Sequence, residues 1–104
     1  MNKFKEREAA FESKYAHDMD MQFKANARSH KLLGLWAAKK LGISGDEAEA
    51  YAKTVVISDL QEAGHEDVVR KVAADLGDKA SPEKIRQKMK KFSRKAKAEI
   101  LDEA

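Results

Sequence analysis

Residues 44–64 read SGDEAEAYAKTVVISDLQEAG, and this stretch decides the class of the fold. It opens on Ser44-Gly45-Asp46-Glu47, the pattern of a capping box, in which Ser44 caps a helix and Glu47 reaches back to it. Apolar residues then recur at Ala48, Tyr51, Ala52, Val55, Val56 and Leu60, the spacing of a helix with one buried face. Gly64 is placed to stop it, because glycine takes the left-handed cap at little cost.

Working outward, the same grammar repeats. Downstream, Glu66 and Asp67 suit the N-terminal dipole of a short helix whose apolar positions are Val68, Val69, Val72, Ala73 and Leu76, with Gly77 at its end. Ser81-Pro82-Glu83 then starts another, with Ser81 as cap and Pro82 at the first helical position. Its stripe is Ile85, Met89, Phe92, Ala96 and Ile100. Upstream, Leu32, Leu33, Leu35, Trp36, Ala37 and Leu41 form the most apolar stretch of the chain, closed by Gly42. These are four helices joined by short loops, the signature of an all-α, four-helix bundle.

Composition agrees. The 104 residues suit one domain, and a chain that is 38% charged, with one proline and few β-branched or aromatic residues, favours helix over strand. Cysteine is absent, which removes disulfides and thiolate metal sites and permits a reducing compartment. The expected location is cytoplasmic and soluble, since no apolar run is long enough to span a bilayer and no signal peptide is visible. The net charge of +3 hides a pattern: residues 1–43 and 81–104 are basic, and residues 44–80 are acidic. Either the basic ends attract the middle within the fold, or they form a surface for an acidic partner.

Above the apolar heart of the first helix, the segment Lys24 to Lys31 offers only Ala25 and Ala27 as contacts. Above that break lies a second stripe of Phe4, Phe11, Tyr15, Met19 and Phe23, whose repeat slightly exceeds 3.6 and so winds around the helix. The chain therefore divides into an amphipathic arm, residues 1–18, and a bundle, residues 19–104. The arm's charges balance, which argues against adsorption to a membrane. Its aromatics either fold back onto the bundle or anchor in a groove of a partner. In the second case Phe4, Phe11 and Tyr15 are the anchors and Arg7, Glu8, Glu12 and Lys14 the charged contacts around them.

No catalytic residue is assigned. The serines lack a nucleophile-elbow setting, and Gly42-Ile43-Ser44-Gly45 lacks the Gly-Lys-Ser/Thr ending of a phosphate loop. No metal site is expected either, because His17, His30 and His65 are too far apart to share a helix face and each reads as a surface or boundary residue. The last helix is densely basic, from Lys84 to Lys97, and could neutralise phosphates without reading sequence. Nucleic-acid binding is disfavoured, because aromatic residues for stacking are absent from it apart from Phe92, which belongs to the apolar stripe.

Several segments together carry a family resemblance. Arg7-Glu8-Ala9-Ala10-Phe11-Glu12-Ser13-Lys14-Tyr15-Ala16-His17-Asp18 resembles the N-terminal signature of the zeta subunits that regulate bacterial F-type ATP synthases. Phe23-Lys24-Ala25-Asn26-Ala27-Arg28, Leu32-Leu33-Gly34-Leu35-Trp36-Ala37-Ala38, Glu49-Ala50-Tyr51-Ala52-Lys53 and Glu62-Ala63-Gly64-His65-Glu66-Asp67-Val68 continue it in order. The fourth helix, with Lys90-Lys91 and Arg94-Lys95-Ala96-Lys97, is more basic than the family pattern. The resemblance implies a non-enzymatic inhibitor of ATP hydrolysis, peripheral to the membrane-bound ATP synthase. It implies that residues 1–18 insert between catalytic subunits of the head. It further implies regulatory binding of ADP or ATP, at a site it does not place on these residues, and no required cofactor. The alternative drawn from the residues alone is a helical adaptor or weak nucleic-acid-associated protein using the basic fourth helix.

Overall fold

A computed structural model describes residues 3–61 and 65–103. Among these the chain forms five α-helices and no strand: α1 (Lys3–Tyr15), α2 (Met19–Leu41), α3 (Gly45–Gln61), α4 (His65–Leu76) and α5 (Pro82–Glu103), with a 3-10 turn at Gly77–Lys79. The expected stop at Gly64 and the Leu60 side chain lie outside the described residues.

The helix boundaries have visible causes. Ser81 accepts a hydrogen bond from the Lys84 N–H at 3.1 Å, so it caps α5, with Pro82 as first helical residue. At the end of α2, Gly42 adopts φ 77°, and the Ile43 N–H bonds back to the Ala38 carbonyl at 3.0 Å. This is a Schellman closure, which needs the left-handed conformation that glycine tolerates. One helix end was not expected, although it falls where the sequence divides residues 1–18 from 19–104. The Asp18 carboxylate accepts from the Met21 N–H at 3.1 Å and caps α2, and the Asp18 N–H bonds to the Tyr15 carbonyl. The winding stripe from Phe4 to Phe23 is therefore broken at residues 16–18 into two helices. Phe11 and Tyr15 are buried, whereas Met19 and Phe23 are exposed.

The long helices α2 and α5, each about 33–35 Å at 1.5 Å per residue, lie antiparallel, since Arg28 meets Glu99 and Glu103 while Trp36 lies beside Lys88. Two apolar clusters form along them and share no residue. The larger joins Leu33 and Ala37 of α2, Val55 of α3, Val68, Val69, Val72 and Leu76 of α4, and Ile85 of α5. The smaller joins Phe11 and Tyr15 of α1 with Ala25 of α2 and Ile100 of α5, flanked by Met21 and Leu101. At the crossing of α2 and α3, a Cβ built on Gly34 would meet the Ala52 Cα at 2.6 Å, so only glycine permits this approach.

Two local expectations are corrected. The Lys24–Lys31 segment is no weak-contact break: Ala25, Ser29 and His30 are all buried, with Ala25 in a cluster with residues of α1 and α5. His30, expected at a surface or boundary, is 2% exposed.

Candidate protein-binding site

The arm is a helix docked along α5. Phe11 is fully buried and Tyr15 nearly so, their ring centroids 5.1 Å apart at an interplanar angle of 58°. The two residues are one helical turn apart, so both rings leave α1 on the same side and reach Ile100 together. Around them lies a frame of opposite charges. The Arg94 guanidinium donates to Glu8 at 3.3 Å, Lys97 lies 3.8 Å from Glu8 and also pairs with Glu12, and Arg7 pairs with Asp102. The Lys97 ammonium sits 5.9 Å above the Phe11 ring, and Lys14 lies 5.2 Å from the centroid of Tyr15. Phe4, 40% exposed, borders a cavity of about 380 Å³ with Gln87, Lys90, Lys91 and Arg94.

Six of the seven residues read from the sequence as partner contacts thus meet one surface, that of α5. Phe11 and Tyr15 enter its apolar strip, Arg7, Glu8 and Glu12 pair along its edge, and Phe4 lies at one end. Lys14 points to its own neighbour Tyr15. Of the two courses open to the aromatics, folding back is the one taken here. Of the receiving residues, Arg94 and Lys97 were read in the sequence as part of a basic face for phosphates or a partner and not as the seat of α1, and Asp102 was not singled out. A signal was available: Glu8 and Glu12 are four residues apart, Arg94 and Lys97 three apart, and each pair flanks an apolar stripe.

A second, polar cleft of about 270 Å³ opens between α2, α4 and α5, lined by Ser29, His30, Glu66, Arg86, Ser93 and Lys97 among others. Arg86 is already committed there to Glu66, at 2.7 and 3.1 Å. The Arg86 hydrogen bond holds the Glu66 carboxyl below its ordinary value, and that carboxylate holds the guanidinium higher. The cations and hydroxyls suit a phosphate group, but the volume falls short of the 300 Å³ or so at which small-molecule sites begin, and no Phe, Tyr or Trp ring lines it for a base. Among the described residues no three His, Asp or Glu side chains gather to hold a metal, and no helix is long and apolar enough to cross a membrane.

The pattern of the family described as ATPase inhibitor subunit zeta matches residues 1–99. The chain belongs to that zeta family. The match includes the sequence of α1 as well as those of the other helices. A protein solved by solution NMR is 55% identical, with a TM-score of 0.74, and the alignment covers 81% of this chain and 99% of that one. A search of curated proteins finds no match.

Proposed function

We propose that this zeta-family chain inhibits ATP hydrolysis by the F-type ATPase, and that residues 1–18 do so by leaving α5 and inserting into the catalytic head. The observation that carries this reading is the separation of the two apolar clusters. Phe11 and Tyr15 pack in the smaller one alone, so α1 can depart while the larger cluster of α2, α3, α4 and α5 stays closed.

Release exposes two aromatic rings and a row of charges, which is the set a partner groove would need. Phe4, Phe11 and Tyr15 then serve as anchors, and Arg7, Glu8, Glu12 and Lys14 exchange their partners on α5 or solvent for partners on the head. The docked state competes with inhibition. Each 1.4 kcal/mol or so by which docking is favoured lowers the apparent affinity for the head about tenfold. The chain works by binding rather than by turnover, in the cytoplasm at the periphery of the ATP synthase.

The test is a reversible lock. The chain has no native cysteine, so Glu8→Cys together with Arg94→Cys provides the two thiols for a short flexible crosslinker with a cleavable centre. The crosslinked protein should not inhibit ATP hydrolysis by the isolated head, and cleavage of the linker should restore inhibition. Deleting residues 1–18 should abolish inhibition irreversibly. Full inhibition by the crosslinked chain would overturn release, and full inhibition by the truncated chain would overturn the role of the arm. The nucleic-acid reading loses ground on α5 itself, where Arg86, Arg94 and Lys97 are each occupied by a carboxylate of the same chain.

A further inference from the structure

The last turn of α2 and the first half of α5 leave a basic patch that the docked arm does not use. Lys84, Lys88 and Lys91 follow one another at i, i+4 and i+7, so they lie on one face of α5. Lys40 comes from α2 across the groove, and between the two helices stands Trp36, half-buried, with the Lys40 and Lys88 ammonium groups 6.0 and 5.9 Å from its ring. Among the described residues none of these four lysines has a carboxylate partner, in contrast to Arg86, Arg94 and Lys97 on the same helix.

We infer that Lys40, Lys84, Lys88 and Lys91, grouped around Trp36, form a second docking surface that receives an acidic polypeptide segment of the protein this chain inhibits. The inference rests on the inhibitory reading and adds a contact distinct from the arm. Charge complementarity carries it. Four ammonium groups gathered without a counter-charge repel one another: Lys91 first, then loss of hydration, Lys84 and Lys40, all push the Lys88 ammonium below its ordinary value. An acidic segment relieves that repulsion.

The patch favours a protein over a nucleic acid. From Lys84 to Lys91 it runs about 10 Å along the helix, room for one or two turns of an acidic helix but for few phosphates. Beyond it the face continues only to Lys95, and the neighbouring face of α5 carries Arg94 and Lys97, which pair with Glu8 and Glu12 of the docked α1. It also contains no arginine, the side chain that grips phosphate in two-point fashion. The indole gives the segment a flat apolar centre ringed by charge. Lys91 also borders the Phe4 cavity, so the patch adjoins the place that the departing arm vacates. Two linked contacts raise the effective concentration of the arm at its target.

The test compares the full chain with Lys84→Gln/Lys88→Gln/Lys91→Gln in two assays. In the first, association with the isolated ATPase head is timed at low and at physiological salt. The variant should associate about tenfold more slowly at low salt, with the difference shrinking as salt rises. In the second, fluorescence of Trp36, the single tryptophan of the chain, is followed while a short glutamate-rich helical peptide, a short DNA duplex or phosphatidylserine vesicles are added. The peptide should shift the emission of the wild-type chain and leave that of the variant unchanged. Equal association rates for the two chains would overturn the inference while leaving the inhibitory reading intact. Tighter binding of duplex or vesicles than of peptide at physiological salt would also overturn it. If the wild-type chain fails to bind the head, the inhibitory reading falls and the peptide assay alone decides the patch. Lys84→Gln/Lys91→Gln, both at exposed positions, serves should the triple variant fold poorly.

Discussion

Phe11 and Gly34 do opposite things with space, and both lend themselves to substitution. Phe11 fills the small cluster, and truncating a buried Phe to Ala costs about 3–5 kcal/mol where the structure cannot escape the cavity. On the proposal that α1 leaves α5, it can. Phe11→Ala should therefore undock α1, seen as a loss of helical circular dichroism and of amide protection in residues 3–15, with the larger cluster intact. Persistent protection of α1 would show that the charged frame, not the ring, holds it. Gly34 marks the closest contact between α2 and α3. An alanine there would gain up to about 1 kcal/mol of helix propensity but would bring its Cβ to 2.6 Å from the Ala52 Cα. Backbone cannot rotate aside as a side chain can, so the clash wins. Gly34→Ala should destabilise the chain by about 1–3 kcal/mol, measured by denaturant unfolding, and an unchanged midpoint would mean that the helices move apart freely.

At the scale of the element, α1 is a 13-residue helix that would be marginal alone in water. Its order depends on α5. Ion pairs at the surface contribute about 0–1 kcal/mol each, and those that frame Phe11 are partly buried, with the Lys97 side chain 14% exposed, so the frame adds to the docking that the two rings supply. Arg94→Gln with Lys97→Gln should loosen the arm and lower the concentration needed for half-inhibition of the ATPase by about 3- to 10-fold. A weaker inhibitor would mean that these cations act on the head directly. The helices themselves were largely legible in the sequence, because each carries its own punctuation: Ser81-Pro82 before α5 and Gly42 after α2. The break at residues 16–18 was harder to read. The apolar spacing of Tyr15, Met19 and Phe23 continues straight through it, and the cap is a single aspartate beside a histidine. The fold-back of the arm could be posed but not decided from sequence, because an amphipathic face shows that a partner exists without saying whether it lies in the same chain. His30 and Ser29 escaped notice as interior residues for a similar reason: their burial comes from other helices packed on α2, not from their own neighbours.

For the molecule as a whole, two of the ion pairs that tie different helices bear on acid stability: Glu66 of α4 with Arg86 of α5, and Glu103 of α5 with Arg28 of α2. In each case the hydrogen bond from arginine is the chief cause that holds the carboxyl below its ordinary value near 4.5. A group whose pKa falls on folding contributes stability that is complete above its unfolded value and is lost as pH drops through the folded one. Stability should therefore decline on acidification below about pH 4.5, and Glu66→Gln/Glu103→Gln should make that decline shallower. The effect should be modest, because both carboxylates are exposed to solvent. Equal slopes for the two proteins in melting temperature against pH would show that other carboxylates govern acid unfolding.

The two apolar clusters that share no residue also govern how the chain comes apart. A single core makes unfolding all-or-none, but separate cores strung along two helices allow one end to open first. Amides of α1 should then exchange with solvent through a partial opening that exposes little surface and responds weakly to denaturant, whereas those of α3 and α4 wait for the whole molecule. A single melting temperature for this protein would blend two events, and the lower of them would be the step that arms the inhibitor.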